Sequence, residues 1–179
     1  IEKLPIKDSI RILTLPITDN RGEFTRLFCA RELQPYLKDK NIVQTNYSQN
    51  KNKGTIRGLH FQHSPKQEIK LITCLKGKVF DVILDLRKGS KTFLKFHTEE
   101  LCGDDQKIIF IPEGCAHGFQ VIEDHSDLLY FHSEYYSPDS EDGVRFDDPL
   151  LNITWPLEPI GISKRDKSYP FLGTEFKGY

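Results

Sequence analysis

The stretch Arg57-Gly58-Leu59-His60-Phe61-Gln62 sets a histidine two residues ahead of a glutamine, just after an arginine–glycine pair. An imidazole has an ordinary pKa of about 6.5, which makes His60 the natural general base near neutral pH. A lone strand histidine is more often structural than catalytic, and a catalytic one needs a partner that fixes its tautomer. Asp166, in Ser-Lys-Arg-Asp-Lys-Ser-Tyr-Pro, is a candidate partner, although no spacing in the chain brings the two together. Lys70 opens an apolar run. At a sheet edge it is a snorkelling side chain; in a closed cavity it would hold the charge of a developing enolate, a contribution of roughly two to three powers of ten in rate. His117 follows a Pro-Glu-Gly turn and begins another run, either as a plain hydrogen-bonded histidine or as a site residue.

His60, His63, His117 and Glu68 are the right types for a three-histidine, one-carboxylate metal site. The His-x-His pair that would put two imidazoles on one strand face is absent, because position 62 is Gln. His60 and His63 have opposite parity in a regular strand, so no metal is expected. Arg21-Gly22 and Arg57-Gly58 each join a guanidinium, the side chain suited to bidentate phosphate contacts, to a flexible backbone. There is no glycine-rich phosphate loop, so any phosphate would be held by side chains.

The elements that must position these residues read as strands. In Lys78–Arg87, Phe80, Val82, Leu84 and Leu86 alternate with Val79, Asp81, Ile83 and Asp85, a period of two. Residues 70–75, 107–111, 117–122 and 127–136 alternate in the same way. Turn signals such as Lys76-Gly77, Lys88-Gly89-Ser90 and Pro112-Glu113-Gly114 separate them. The pattern predicts an antiparallel sandwich or barrel. One helix is predicted, over 29–38, which Pro35 should cut or kink; the segment after Trp155 should wrap the surface as loops and short helical turns. Several strands load one parity with amides, His and Tyr: Gln44, Asn46 and Ser48; Gly58, His60 and Gln62; Tyr130, His132, Glu134 and Tyr136. Such a set suits either a solvated face or a polar-lined cavity, and alternation alone does not choose.

The chain has 179 residues and a formal net charge of -1. This is the length of one domain, 1–179, with roughly 70% of its unfolded surface buried. The balanced charge gives no reason to expect a nucleic-acid or membrane partner, and no apolar run reaches bilayer length. With no leader pattern at the start and four scattered cysteines (Cys29, Cys74, Cys102, Cys115) read as buried reduced thiols, a cytoplasmic protein is expected.

Six ordered segments together resemble the dTDP-4-dehydrorhamnose 3,5-epimerase family of cupin-like enzymes: residues 19–28, 44–62, 70–93, 109–119, 128–141, and 147–156 followed by Ile162-Ser-Lys-Arg-Asp166. The resemblance implies an all-β, cupin-type jelly-roll barrel of antiparallel strands with a few short helices. It also implies a homodimer that exchanges N-terminal strands, and no cofactor, metal or organic. The implied substrate is dTDP-4-keto-6-deoxyglucose or a close relative, epimerised at C3 and/or C5 on the way to dTDP-L-rhamnose. Carried over by position, His60 removes the proton alpha to the C4 ketone, Asp166 pairs with it, Lys70 stabilises the enolate and Tyr130 returns a proton from the opposite face. Arg21, Gln44, Asn46, Arg57, Tyr136, Glu141 and Arg165 match positions that bind the nucleotide, its diphosphate or the sugar. Phe24 matches a residue that packs near the ligand from the partner chain, and His117 one in the sugar pocket.

The chain departs from the family pattern at Phe131, where a lysine is usual, at Phe146-Asp147 for Trp-Asn, at Arg26 for Glu and at Cys115 for Phe. None of these is a proton-transfer position; Arg26 and Asp147 are expected to bear on which base or sugar is accepted. Two other functions compete: a cupin isomerase moving the keto group between C3 and C4, and a nucleotide-sugar-binding cupin without turnover. The intact Tyr130 and the Arg57–Gln62 stretch count against the first, and retention of His60, Lys70, Tyr130 and Asp166 counts against the second.

Overall fold

A strand that is apolar on both faces must be covered on both, and the chain meets that demand with layers. The computed structural model describes residues 1–105 and 107–179. Thirteen strands and two helices follow in the order β1 (Glu2–Lys3), β2 (Ile10–Ile12), β3 (Ile17–Asp19), β4 (Gly22–Phe24), α1 (Ala30–Leu37), β5 (Gln44–Asn50), β6 (Ile56–Gln62), β7 (Lys70–Lys76), β8 (Lys78–Asp85), β9 (Phe96–Cys102), β10 (Ile108–Ile111), β11 (Cys115–Val121), β12 (Ser126–His132), β13 (Glu141–Gly143) and α2 (Lys164–Ser168). One sheet has the order β1-β2-β10-β7-β12-β5 and the other β13-β6-β11-β8-β9. Every neighbouring pair of strands within them is antiparallel. The all-β, cupin-type expectation is met.

Ile72, Cys74, Ile109 and Leu128 of the first sheet interlock with Val79, Ile83, Phe119 and Val121 of the second in one buried cluster between the sheets. The outer face of the five-stranded sheet is covered by the C-terminal segment, whose Leu151, Ile153, Trp155, Leu172 and Phe176 pack on Leu59, Val82 and Leu84. The outer face of the six-stranded sheet is covered by α1 through Leu33 and Leu37. Among the described residues no helix is long and apolar enough to cross a membrane.

Four local expectations need correction. Helix α1 is not cut at Pro35 but runs on to Leu37. One missing N–H bond is outweighed by burial of Leu33 and Leu37 and by the Tyr36–Phe110 contact at 6.1 Å. Strand β12 stops at His132, short of the expected 136. There Ser133 turns to Ile69, its N–H donating to the Ile69 carbonyl at 3.0 Å and its Oγ accepting from the Ile69 N–H at 2.8 Å. Glu134 then caps the Tyr135 N–H at 2.9 Å, so side chains take over from the ladder. All four thiols are free, but only Cys74 and Cys115 are buried; Cys29, which precedes α1, and Cys102, which ends β9, are partly exposed.

The fourth concerns β6. His60 pairs with His117 and Arg57 with Phe119, so three steps on β6 answer two on β11. This bulge turns Arg57, not Gly58, to the same side as His60. Gly58 has φ +115°, and a Cβ on it would lie 2.5 Å from Gly118 Cα and 2.6 Å from the His117 carbonyl. Only glycine fits there.

Candidate active site

The inner face of the six-stranded sheet grades from apolar to polar along its strands. In register across it, Ser48 faces Leu128 and Leu128 faces Cys74; Asn46 faces Tyr130 and Tyr130 faces Ile72; Gln44 faces His132 and His132 faces Lys70. Toward the Gln44 end this face becomes one wall of a cavity of about 470 Å³, the five-stranded sheet and the α2 segment forming the other. The polar parity, Gly58 and Glu134 excepted, is therefore a cavity lining and not a solvated face.

His60 and Asp166 meet across 106 residues of chain, with His60 Nε2 2.9 Å from Asp166 Oδ1. Asp166 is 2% exposed. It is set by α2, where the Ser163 hydroxyl accepts from the Asp166 N–H at 3.0 Å, and its Oδ2 accepts from the Gly58 N–H at 3.3 Å. Burial pushes the Asp166 carboxyl up, but His60, helped by Ser163 and the Gly58 amide, outweighs it and holds the group at about 2. A carboxylate only accepts, so Nε2 carries the hydrogen and Nδ1 keeps its lone pair for a substrate. Arg165 Nη2 also lies 3.1 Å from Nε2, but a nitrogen that donates to Asp166 has no lone pair to offer it. Arg165 is instead held by Glu141 at 2.6 Å and, through Nε, by Asp166 Oδ1 at 3.3 Å.

Lys70, 7% exposed, donates through Nζ to the His60 carbonyl at 3.0 Å. Tyr130 stands on the opposite wall from His60. Its ring lies 6.0 Å from His117, edge-on, and 5.9 Å from His132, stacked at 10°. The Tyr130 side chain shows an edge to the cavity, but its hydroxyl sits deep, and burial followed by the charge of Asp81 pushes the phenol well above its ordinary value. It is a protonated donor, and no side chain or carbonyl among the described residues takes its hydrogen bond. His117 is buried against Asp81, Nε2 to Oδ2 at 2.6 Å.

At the mouth, Gln44 accepts from the Tyr136 N–H at 3.1 Å and donates to Asn46 at 3.2 Å, while the Tyr136 hydroxyl donates to Glu141 at 2.9 Å. Arg57 donates through Nε to Asn50 at 2.8 Å and meets no carboxylate among the described residues, which leaves its charge for a ligand. Among the described residues no group of three or more His, Cys, Asp and Glu side chains is arranged to hold a metal ion. His63 points away to Asp142, at 2.9 Å.

Two expected residues do not reach this cavity. Arg21 and Phe24 belong to the β3–β4 hairpin, which pairs only with itself. Arg21 is tied to Asp19, and Phe24 is 73% exposed. The departures Arg26, Phe131 and Asp147 also lie off its lining: Arg26 pairs with Glu32, Phe131 stacks on Phe28 and Asp147 pairs with Arg145. Cys115 is buried in the core between the sheets. Glu68, which the sequence offers only as a metal ligand, and His132, which it offers only as one of a polar parity, both line the cavity and are bonded to each other, Glu68 Oε2 to His132 Nδ1 at 2.7 Å. The signal was there: Glu68 shares the parity of Lys70, and His132 that of Tyr130.

The family model described as dTDP-4-dehydrorhamnose 3,5-epimerase matches residues 3–174. An enzyme of that description from Salmonella typhimurium is 34% identical over 172 residues, spanning 95% of this chain and 93% of the relative. The solved structure of the Bacillus anthracis enzyme with TDP and PPi bound superposes with a TM-score of 0.90 at 36% identity, covering 95% of this chain and 97% of that one. A Legionella pneumophila 3,5-epimerase in complex with dTDP-4-keto-L-rhamnose gives a TM-score of 0.90 at 36% identity, over 95% and 90%.

Proposed function

This chain belongs to the dTDP-4-dehydrorhamnose 3,5-epimerase family, and from that membership we propose that it inverts a dTDP-4-keto-6-deoxyhexose at the carbons beside its C4 ketone, as a single catalytic domain. One observation carries the reading: a histidine with its tautomer fixed stands on one wall of the cavity and a protonated, unbonded tyrosine on the other. Inversion beside a ketone needs that arrangement. His60 Nδ1 takes the proton, the C–H electron pair moves into a new C=C bond, and the C4 oxygen becomes an enolate. The Lys70 ammonium holds that oxygen, worth about 10²–10³ in rate. The enolate collapses onto the Tyr130 proton at the opposite face, and each proton transfer contributes about 10²–10⁴. His117, held by Asp81, fixes the sugar beside Tyr130. Once solvent has taken the proton from His60 and returned one to the Tyr130 phenolate, repeating the sequence at the second alpha carbon gives the 3,5-epimer.

Arg57, with arms uncommitted, takes the diphosphate; Gln44, Asn46, Tyr136, Glu141 and Arg165 frame the sugar and nucleotide. The remaining contacts come from a second copy of the chain. An isolated two-stranded hairpin is marginal in water, and β3–β4 exposes Ile17 at 70% and Phe24 at 73%, beside Leu15 at 87%. This supports a homodimer in which the hairpin delivers Arg21 and Phe24 to the partner's cavity. Four free thiols fit the reducing cytoplasm. Proton NMR of dTDP-4-keto-6-deoxyglucose incubated with the protein in D₂O tests the reading. Deuterium is expected at both C3 and C5. Exchange at one carbon makes the protein a mono-epimerase, and no exchange by folded protein refutes the proposal.

A further inference from the structure

Lys70 and His132 are direct cross-strand partners on the inner face, and Glu68 reaches both. Its Oε1 lies 3.3 Å from Lys70 Nζ and its Oε2 2.7 Å from His132 Nδ1. The three side chains are close to fully buried, at 9–11% exposure. The far side of the imidazole is tied as well, His132 Nε2 standing 3.2 Å from Asn46 Nδ2. Asn46 Oδ1 accepts from Gln44, so its NH₂ donates to Nε2, and the His132 hydrogen sits on Nδ1, facing the carboxylate. Asn46, His132, Glu68 and Lys70 form one chain of bonds that ends at the His60 carbonyl.

We propose that Glu68 is a positioning residue, anchored by His132, that keeps the Lys70 ammonium charged and aimed at the ketone oxygen. The role given to Lys70 rests on the epimerase reading. A buried ammonium with no anion beside it discharges, and Glu68 is the carboxylate paired with Lys70 among the described residues. Burial pushes the Glu68 carboxyl up, but Lys70 and His132 outweigh it and hold it low, so it is an anion throughout the neutral range. His132 occupies the second carboxylate oxygen. Lys70 therefore spends one N–H on Glu68 and one on the His60 carbonyl, and a third is left for substrate. The titratable groups around the ammonium are Glu68 on its own segment, His60 on β6, Cys115 on β11 and His132 on β12; its β10 neighbour is Ile111.

The test is the pH profile of kcat in Glu68→Gln and Glu68→Asp, with the pH onset of Lys70 acetylation by acetic anhydride read by mass spectrometry. In E68Q the alkaline limb of kcat is expected to move down by at least roughly one pH unit, with KM changed less than about threefold, and acetylation to begin at correspondingly lower pH. E68D, which keeps the charge, holds both near wild type. Unchanged profile and acetylation in E68Q overturn the proposal, as does equal loss at every pH in both variants. Should E68Q not fold, His132→Gln must move the same limb in the same direction, and no movement overturns the proposal too. A wild-type protein that fails to epimerise sinks the epimerase reading alone, because acetylation still reports whether Glu68 keeps Lys70 charged.

Discussion

Asp166→Asn removes one charge and one acceptor from the centre of the site. The carboxylate receives three donors, the His60 Nε2–H at 2.9 Å and the Arg165 Nε–H at 3.3 Å on Oδ1 and the Gly58 N–H at 3.3 Å on Oδ2. An asparagine has one oxygen for all of them. If that oxygen keeps Gly58, its NH₂ faces His60 Nε2, the imidazole hydrogen moves to Nδ1, and the lone pair points away from the substrate. Loss of kcat by about 10²–10⁴ is expected, the range for removing a general base or reversing its tautomer, with a smaller change in KM. A stability effect accompanies it. The Asp166 carboxyl is lowered from 3.8 to about 2 in the folded protein, and its side chain is 3% exposed. At 1.36 kcal/mol per unit, this is about 2 kcal/mol. Because the folded value is depressed, that stability is fully present above about pH 5 and is lost as pH falls toward 2. Urea unfolding should therefore separate wild type from D166N by about 2 kcal/mol at pH 7 and bring them together near pH 2. Deuterium exchange into the sugar, followed by proton NMR, gives the rate. Turnover within threefold of wild type would refute the dyad, and a stability gap that ignores pH would refute the electrostatic account.

Gly58→Ala forces a Cβ to within 2.6 Å of the His117 carbonyl at φ +115°, and should cost at least about 2 kcal/mol in urea unfolding while reducing turnover, since the bulge that aims Arg57 and His60 is lost. Thr73→Val should stabilise the protein by about 1 kcal/mol, roughly 3 °C in Tm by calorimetry. Thr73 Oγ1 is the buried side-chain polar atom without a partner among the described residues. Burial pushes the Cys74 and Cys115 thiols up to about 12, so iodoacetamide at pH 8 should label Cys29 and Cys102 in the native protein and all four cysteines only after unfolding, as counted by mass spectrometry.

The parts of the molecule that were legible in its sequence are those set by local period. Alternation locates β5, β7, β8, β11 and the start of β12, and parity alone gathers Gln44, Asn46, Tyr130 and His132. Whatever depends on a distant contact was not legible. The approach of Gly58 to Gly118 inverts the parity of Arg57, and neither residue announces the other. Asp166 reaches His60 only because α2 is folded back onto β6, so the dyad came from the family resemblance and not from spacing. Pro35 is tolerated because α1 is held by the sheet beneath it, a tertiary effect that outweighs propensity. Arg21 and Phe24 lie outside the cavity of their own chain, and no strand period carries information about a second copy.

Three imidazoles line the cavity, and each has a carboxylate: His60 with Asp166, His117 with Asp81, His132 with Glu68. Each carboxylate sits against one ring nitrogen and fixes the hydrogen there, leaving the other nitrogen defined as an acceptor. Tyr130 lies between two of these rings. Its hydroxyl is kept protonated by burial, with no hydrogen bond to a side chain or carbonyl among the described residues to break before the proposed proton transfer. A sheet wall built from period-two strands suits this use, because one parity can carry the whole polar row while the other is spent on the outer core. Leu71 and Phe131 face α1, while Lys70 and Tyr130, their immediate neighbours in the chain, face the substrate cavity. Stability and chemistry are separated by one residue of register, so a substitution at Phe131 should be read in unfolding curves and one at Tyr130 in rates.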